Sequence, residues 1–322
     1  MLSIRDLTIR IGTATPVSGI NFDIERGEML GLVGESGSGK SLTMRAILRL
    51  LPDHAQVEGS ILWNDTNLAT IPNAEIEKIR GRQIAAIFQE PMTALNPILP
   101  VGLQITESLS QHLNLRGAAA RRRAIDLLDR VGIPDARRRL DSYPHEFSGG
   151  MRQRAMIAIA LAGEPKLLLA DEPTTALDVT IQDQILKLLL RLRDELSMSV
   201  ILVTHDLGIV AGTCDRVAVL YAGRIMETGP TYDVFTAPAH AYTLGLMRSL
   251  PDAQHARQPL QAIPGTPPDP ARLPPGCRFA PRCFLEAPAC NAAPPPLVQL
   301  SEDHATACIR AEAVRKTVAA AA

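Results

Sequence analysis

The residues Gly34-Glu35-Ser36-Gly37-Ser38-Gly39-Lys40-Ser41 are spaced as a phosphate cradle. They fit the pattern G-x-x-x-x-G-K-[ST]. In it the glycines let backbone N–H groups curl round an anion, the lysine reaches the β- and γ-phosphates and the hydroxyl coordinates Mg²⁺. The chemistry implied is nucleotide binding, provided the flanks are right. Before it, Met29-Leu30-Gly31-Leu32-Val33 reads as a buried strand, and residues 42–48 after it read as a helix. A helix start adds about half a positive charge facing the phosphates. A glycine-rich turn with a chance lysine would lack that setting.

Three further strand ends carry polar groups that nucleotide hydrolysis needs. The run Lys166-Leu167-Leu168-Leu169-Ala170 ends on Asp171 and Glu172. A carboxylate at Asp171 can hold Mg²⁺ through water, and Glu172 can orient or deprotonate the attacking water. Gln89 closes the run 84–88 and offers a neutral oxygen to the cation or the water. His205 closes the run 199–204. Taken alone, the glutamine and the histidine read as readily as bystanders.

These ends must be positioned by a sheet, and the sequence supplies one. Leu2, Ile4, Leu7 and Ile9, then Ile20, Phe22 and Ile24, alternate as strands, with a turn at Arg26-Gly27-Glu28. Gly59-Ser60-Ile61-Leu62-Trp63-Asn64 reads as a turn and a strand. From 91 to about 165 the period becomes helical. Ile181, Ile185, Leu188, Leu189, Leu192 and Leu196 mark one face of another helix. Residues 216–221 and 224–227 form a hairpin about Ala222-Gly223. Strands alternating with helices imply an α/β fold.

Composition limits the possibilities. An apolar content of 46% in 322 residues is ample for one large domain or two modest ones. A net charge of −1 gives no bulk attraction to nucleic acid, so no nucleic-acid partner is expected. No signal segment and no apolar run near about 18 residues is seen, so a cytosolic chain with reduced cysteines is expected. After about residue 250 the character changes. Twelve prolines fall between Pro259 and Pro296, and four of five cysteines lie beyond Gly276. This marks a separate appendage at 251–322 behind a body at 1–250. Cys277, Cys283, Cys290 and Cys308 are spaced C-x₅-C-x₆-C-x₁₇-C, neither the usual zinc pairing nor a common ferredoxin spacing. Four thiols in so apolar-poor a segment suit an iron–sulfur centre, zinc or no metal. Arg278 and Arg282 are expected to offset thiolate charge. Cys214 reads as structural, and His304 as a spare ligand.

Ser148-Gly149-Gly150-Met151-Arg152-Gln153, with the loop at 34–41, Gln89, the strand into Glu172, Ala176-Leu177-Asp178 and His205, resembles the ABC-type ATPases. Six short motifs in one order over about 1–250 carry the resemblance. It implies a phosphate-loop ATPase with a RecA-like core, an antiparallel β subdomain and a helical signature subdomain at about 91–165. It also implies that Ser148, Gly149, Gly150 and Asp178 belong to nucleotide binding, the signature of one subunit facing the γ-phosphate held by another. The aromatic residue that family stacks on adenine is replaced here by Ile11. Gln89-Glu90-Pro91-Met92-Thr93-Ala94-Leu95-Asn96-Pro97, Met151 itself and His240-Ala241-Tyr242-Thr243 are similar to the peptide and nickel importer branch. The length and tail look most like its iron–sulfur-bearing dipeptide permease subunit.

That resemblance implies ATP and Mg²⁺, with Ser41, Gln89 and Asp171 on the cation, and a [4Fe–4S] cluster on the four cysteines, zinc being the alternative. It implies peptide uptake with two permease subunits, a second ATPase subunit of a different or the same chain, and an extracytoplasmic binding protein. It also implies a peripheral place on the cytoplasmic face of the membrane and a regulatory role for the appendage. A nickel or other solute importer is the near alternative. An ABC ATPase of DNA maintenance would need a long coiled coil or zinc insertion between Ser41 and Ser148, where about 107 residues run without heptads. One acting in translation would carry two phosphate loops.

Overall fold

A computed structural model describes residues 1–89, 94–175, 177–249 and 262–320. The chain forms two compact units. One contains 1–24, 29–69 and 203–322; the other contains 25–28 and 70–202. The boundary expected at 250–251, and Glu90 to Thr93 and Ala176 of the motifs, lie outside the described residues.

The first unit begins with β1 (Leu2–Ile11) and β2 (Ala14–Ile24), antiparallel, with Leu2 opposite Ile24 and Leu7 opposite Ile20. Their alternating apolar residues are buried, as a half-covered antiparallel sheet requires. β3 (Met29–Val33) is buried throughout. β4 (Ala55–Trp63) and β5 (Thr66–Asn67) complete a four-stranded sheet in the order β2-β1-β4-β5. The turn expected at Gly59 is instead a position inside β4, opposite a bulge in β1 where Asp6 and Leu7 face the one residue Gly59. Its φ is 88°, the β1–β4 register shifts between Arg5 and Thr8, and a Cβ there would meet the Arg5 oxygen at 2.5 Å. Glycine marks a bulge as readily as a turn.

The second unit holds β6 (Ile84–Ile87) and β7 (Leu167–Asp171), parallel, with Ile84 opposite Leu167 and Ile87 opposite Ala170. β6 stops short of the expected 84–89, and Phe88 is 38% exposed. Helices Val101–Leu113, Gly117–Arg130, Ala136–Arg139 and Gly149–Leu161 fill the expected helical stretch. Helix Val179–Leu196 buries Ile185, Leu188, Leu189 and Leu192.

The chain returns to the first unit within β8 (Ser199–Thr204). There β9 (Arg216–Tyr221) lies parallel to β3, and β10 (Arg224–Pro230) folds back on β9. The hairpin turns at Ala222 and Gly223 as expected, both with positive φ (45° and 83°), as a two-residue I′ turn demands. Two short strands, β11 (Val298–Gln299) and β12 (Ala305–Thr306), extend this sheet beyond β10.

The C-terminal segment is tied to that sheet by one carboxylate. Glu227 is fully buried and accepts from the Ala239 N–H at 2.6 Å and the His240 N–H at 3.0 Å. His304 Nε2 lies 2.8 Å from the same group, so the histidine read as a spare ligand is a partner of Glu227. Removing one member of a buried charged network leaves the others unpaired. Glu227→Ala is expected to lower unfolding stability by about 3 kcal/mol, measured by urea titration, and to speed proteolysis around 298–310.

Candidate active site

The phosphate loop leaves β3 at Gly34 and enters helix Lys40–Ile47 through Gly39. Gly34, Gly37 and Gly39 have φ of 148°, 78° and 100°, which side-chain-bearing residues rarely adopt. Gly34 also lies so close to the Leu220 carbonyl that a Cβ would collide with it. Lys40 is 5% exposed, and its ammonium donates to the Gly34 oxygen at 2.7 Å, the Glu35 oxygen at 2.9 Å and Ser38 Oγ at 3.3 Å. Ser41 follows in the first helical turn. Gly223 N–H donates to the Ser38 oxygen at 2.9 Å, which ties the loop to the hairpin turn.

Glu35 is held from two sides. Tyr242 Oη accepts its backbone N–H at 2.8 Å, and Arg282 grips its carboxylate in a fork at 2.6 and 3.0 Å. That bond holds the Arg282 guanidinium firmly charged, above its ordinary value. Burial raises the Tyr242 hydroxyl, which therefore stays neutral.

In the second unit β7 delivers Asp171, 4% exposed, at its last position. Glu172 follows with φ of 46°, a sparsely populated conformation for a glutamate. Its carboxylate accepts from Gln89 Nε2 at 2.9 Å and Thr175 Oγ1 at 2.8 Å. Gln89 and Glu172 are thus together. Thr175 was not picked out from sequence; a hydroxyl three residues beyond a turn acid was the available signal.

The signature serine caps a helix. Ser148 Oγ accepts from the Met151 N–H at 3.3 Å, at the start of Gly149–Leu161. Gly150 packs where a Cβ would lie 2.8 Å from Ile181 Cγ2. Asp178 caps Val179–Leu196 through the Ile181 N–H at 2.9 Å. In the first unit, His205 is exposed in the turn between β8 and helix Leu207–Thr213, whose cap is Asp206. Ile11 ends β1, half-buried.

All five cysteines are free thiols. Cys277, Cys283, Cys290 and Cys308 line one small cavity with His240, Phe279 and Ala307. Local geometry brings them there. Cys277 N–H donates to the Cys290 oxygen at 2.7 Å, and Ala307 N–H donates to the Met226 oxygen at 2.7 Å beside Cys308. Gly276 would, with a Cβ, press on Asn291 Cα at 2.6 Å. Burial pushes Cys283 up to about 11 and raises Cys277 and Cys308. Neither neighbouring guanidinium faces these sulfurs as expected: Arg278 donates to the Ala222 oxygen, and Arg282 to Glu35. The cation felt at Cys277 is Arg224. His240 is neutral, pushed down to about 3 by burial. Its Nδ1 accepts from the Tyr242 N–H, so Nε2 carries the proton; that nitrogen finds no partner among the described residues. Among the described residues no three His, Cys, Asp or Glu side chains already stand in metal-holding positions. Cys214 is buried against Gly31 in the first unit.

Residues 17–175 match the family described as ABC transporter, and residues 226–290 the family described as Oligopeptide/dipeptide transporter, C-terminal region. The chain is 52% identical to a Brucella abortus protein named as a candidate peptide import ATP-binding protein, over 92% of this chain and 90% of that one. It is 47% identical to the Oligopeptide transport ATP-binding protein OppD of Escherichia coli, over 96% and 93% respectively. A solved dimer of the ATP-binding cassette MJ0796, bound to ADP and Pi after hydrolysis, matches with a TM-score of 0.63 and 29% identity. That match covers 72% of this chain and 99% of that one.

If Thr175 holds the Glu172 carboxylate for chemistry, Thr175→Val is expected to cut ATP turnover about tenfold, the loss of one charge-assisted hydrogen bond. Nucleotide affinity, read by fluorescent-ATP titration, is expected to stay unchanged.

Proposed function

We propose that this chain, which belongs to the ATP-binding subunits of the oligopeptide/dipeptide ABC transporters, hydrolyses ATP to drive uptake of di- or oligopeptides. The observation that carries the reading is 47–52% identity to peptide-transport ATP-binding proteins over more than nine-tenths of the chain. The C-terminal match to an oligopeptide/dipeptide region favours peptide over nickel as cargo.

In this reading the loop amides of 34–41 and the Lys40 ammonium take the β- and γ-phosphates. Ser41, Asp171 and the Gln89 oxygen are assigned to Mg²⁺, hard oxygens of the kind it takes, and the cation would neutralise phosphate charge. Glu172, steadied by Gln89 and Thr175, takes a proton from water as its oxygen attacks the γ-phosphorus. The bond to the bridging oxygen breaks, and ADP leaves with the electron pair. His205 is assigned to the γ-phosphate and the water. Ser148, with its oxygen accepting from Met151, has its hydroxyl proton left to donate, and with Gly149 and Gly150 would serve the nucleotide of a second ATPase subunit. Asp178 is assigned a place beside that signature. Residues 1–250 would form the ATPase and 251–322 its regulatory appendage.

No helix among the described residues is long and apolar enough to cross a membrane. In this reading transport is carried out together with separate permease subunits. The subunit would sit on the cytoplasmic face, with a binding protein supplying peptide from outside.

The test is reconstitution with the permease subunits in vesicles. Glu172→Gln is expected to bind ATP with Mg²⁺ yet lower hydrolysis and labelled-peptide uptake at least a hundredfold, the usual contribution of a general base. Turnover close to wild type would remove Glu172 from that role.

A metal centre at the four-cysteine cavity is supported by its lining alone, since among the described residues no three His, Cys, Asp or Glu side chains already stand in metal-holding positions. Four thiols line it, and the His240 Nε2–H beside it is a buried donor without a partner, which a cluster sulfur would accept. Cys277, Cys283, Cys290 and Cys308 would hold a [4Fe–4S] cluster, with zinc as the alternative. Its service is structural, stapling a segment with a small core. Anaerobically purified protein is expected to hold about four irons per chain, with less in Cys283→Ser. Stoichiometric zinc without iron would establish the alternative.

A further inference from the structure

We propose that Arg282 and Tyr242 are positioning residues for the phosphate loop, through which the four-cysteine segment sets how tightly that loop takes nucleotide phosphates. The inference rests on the loop being a nucleotide site and is indifferent to which metal, if any, the cysteines hold.

Glu35 is the one acidic residue of the loop. A carboxylate in a phosphate cradle repels the ligand unless its charge is answered. The Lys40 ammonium donates to the carbonyl oxygens of Gly34 and Glu35 and to Ser38 Oγ. Arg282 answers the Glu35 charge with a two-bond fork, its side chain 6% exposed and that of Glu35 27%. The fork also turns the carboxylate to a fixed direction.

Arg282 is itself fixed from three sides. Its Nε donates to the Pro264 oxygen at 2.8 Å, its Nη1 donates to Tyr221 Oη at 3.1 Å, and its guanidinium lies 5.6 Å from the Tyr221 ring centre. Tyr242 pins the Glu35 backbone and packs against Tyr221 at 4.6 Å and Phe279 at 5.2 Å. Phe279 lines the cysteine cavity, as does Cys283, the neighbour of Arg282 in the chain. A second connection runs in parallel. Arg278, next to Cys277, donates to the Ala222 oxygen, and the adjacent Gly223 N–H holds the Ser38 oxygen. A shift of the cysteines therefore moves both arginines and reaches the loop at Glu35 and at Ser38.

The experiment titrates fluorescent ATP onto the full chain with Mg²⁺ and measures cysteine-bound metal in each variant. Arg282→Gln is expected to raise Kd about tenfold, the worth of a lost charge-assisted fork next to an anion. Arg282→Lys, which keeps the charge and loses the fork, is expected to fall between and serves if the glutamine variant folds poorly. Adding Glu35→Gln to Arg282→Gln removes the unanswered carboxylate and is expected to bring Kd back to within about threefold of wild type, the signature of two coupled residues. Cys283→Ser is expected to raise Kd about threefold, and Glu35→Gln to suppress that rise. Wild-type affinity in Arg282→Gln, or a loss that persists undiminished in the double variant, overturns the positioning role. Wild-type affinity in Cys283→Ser overturns the connection to the cysteines. Lys40→Ala separates the premise. If it leaves ATP binding intact, the loop is not the nucleotide site; if it weakens binding while the Arg282 variants do not, only this inference fails.

Discussion

A buried lysine sets the terms for the first unit. An ammonium 5% exposed costs several kcal/mol in lost hydration unless oxygens replace the water. Those oxygens here are the carbonyls of Gly34 and Glu35 and the hydroxyl of Ser38. To aim carbonyls inward, the chain must turn back on itself through positive φ at Gly34, Gly37 and Gly39. Turns through positive φ are also how backbone amides are gathered into anion-binding concavities. The rigid flanks follow from this. β3 is buried at every position, and Gly34 touches the Leu220 carbonyl of the neighbouring hairpin, so the loop has a fixed base on which to bend.

A comparable constraint governs Glu172 and its neighbours in the second unit, met differently. Glu172 occupies a left-handed conformation that costs of order 1 kcal/mol and is held there by its surroundings. The ladder of β6 and the fully buried β7 brings the chain to Asp171 in fixed register. The next residue must then leave the sheet sharply, and the turn is closed by the Thr175 N–H on the Glu172 oxygen at 3.1 Å. The twist aims the carboxylate at Gln89 and Thr175 rather than along the strand.

Much of this was legible because it is local. Alternation in β1 and β2, the apolar run of β3, the glycine spacing and the period of Val179–Leu196 depend on neighbours within a few residues. What stayed hidden is long-range or carried by single residues. Glu35 and Arg282 are separated by 247 positions, and no periodicity connects them. β11 and β12 have two residues each, too short for any pattern, and they are ordered by pairing onto β10. Gly59 shows a subtler limit: the residue type announces a positive φ, but only the partner strand decides whether that makes a turn or a position opposite a bulge. Ser148 and Asp178 carry helix caps that the sequence allowed beside any nucleotide role.

The cysteine segment shows how charge is apportioned when a small module joins a larger one. Its arginines flank cysteines in sequence, which suggests that they balance thiolate charge. The structure spends them elsewhere. Burial pushes Arg278 down to about 10, so its charge is costly to hold, and it is committed to the Ala222 carbonyl rather than to sulfur. Arg282 is committed to Glu35. The cavity is left with Arg310 and neutral His240 in its lining, and Cys277 also feels the charge of Arg224. A module that kept its cations for itself could be removed without disturbing the body. Here the cations point outward into the phosphate loop and its hairpin, while Glu227 anchors His304 and the turn before His240. Segment and loop thereby share one set of buried charges, and neither is electrostatically complete without the other.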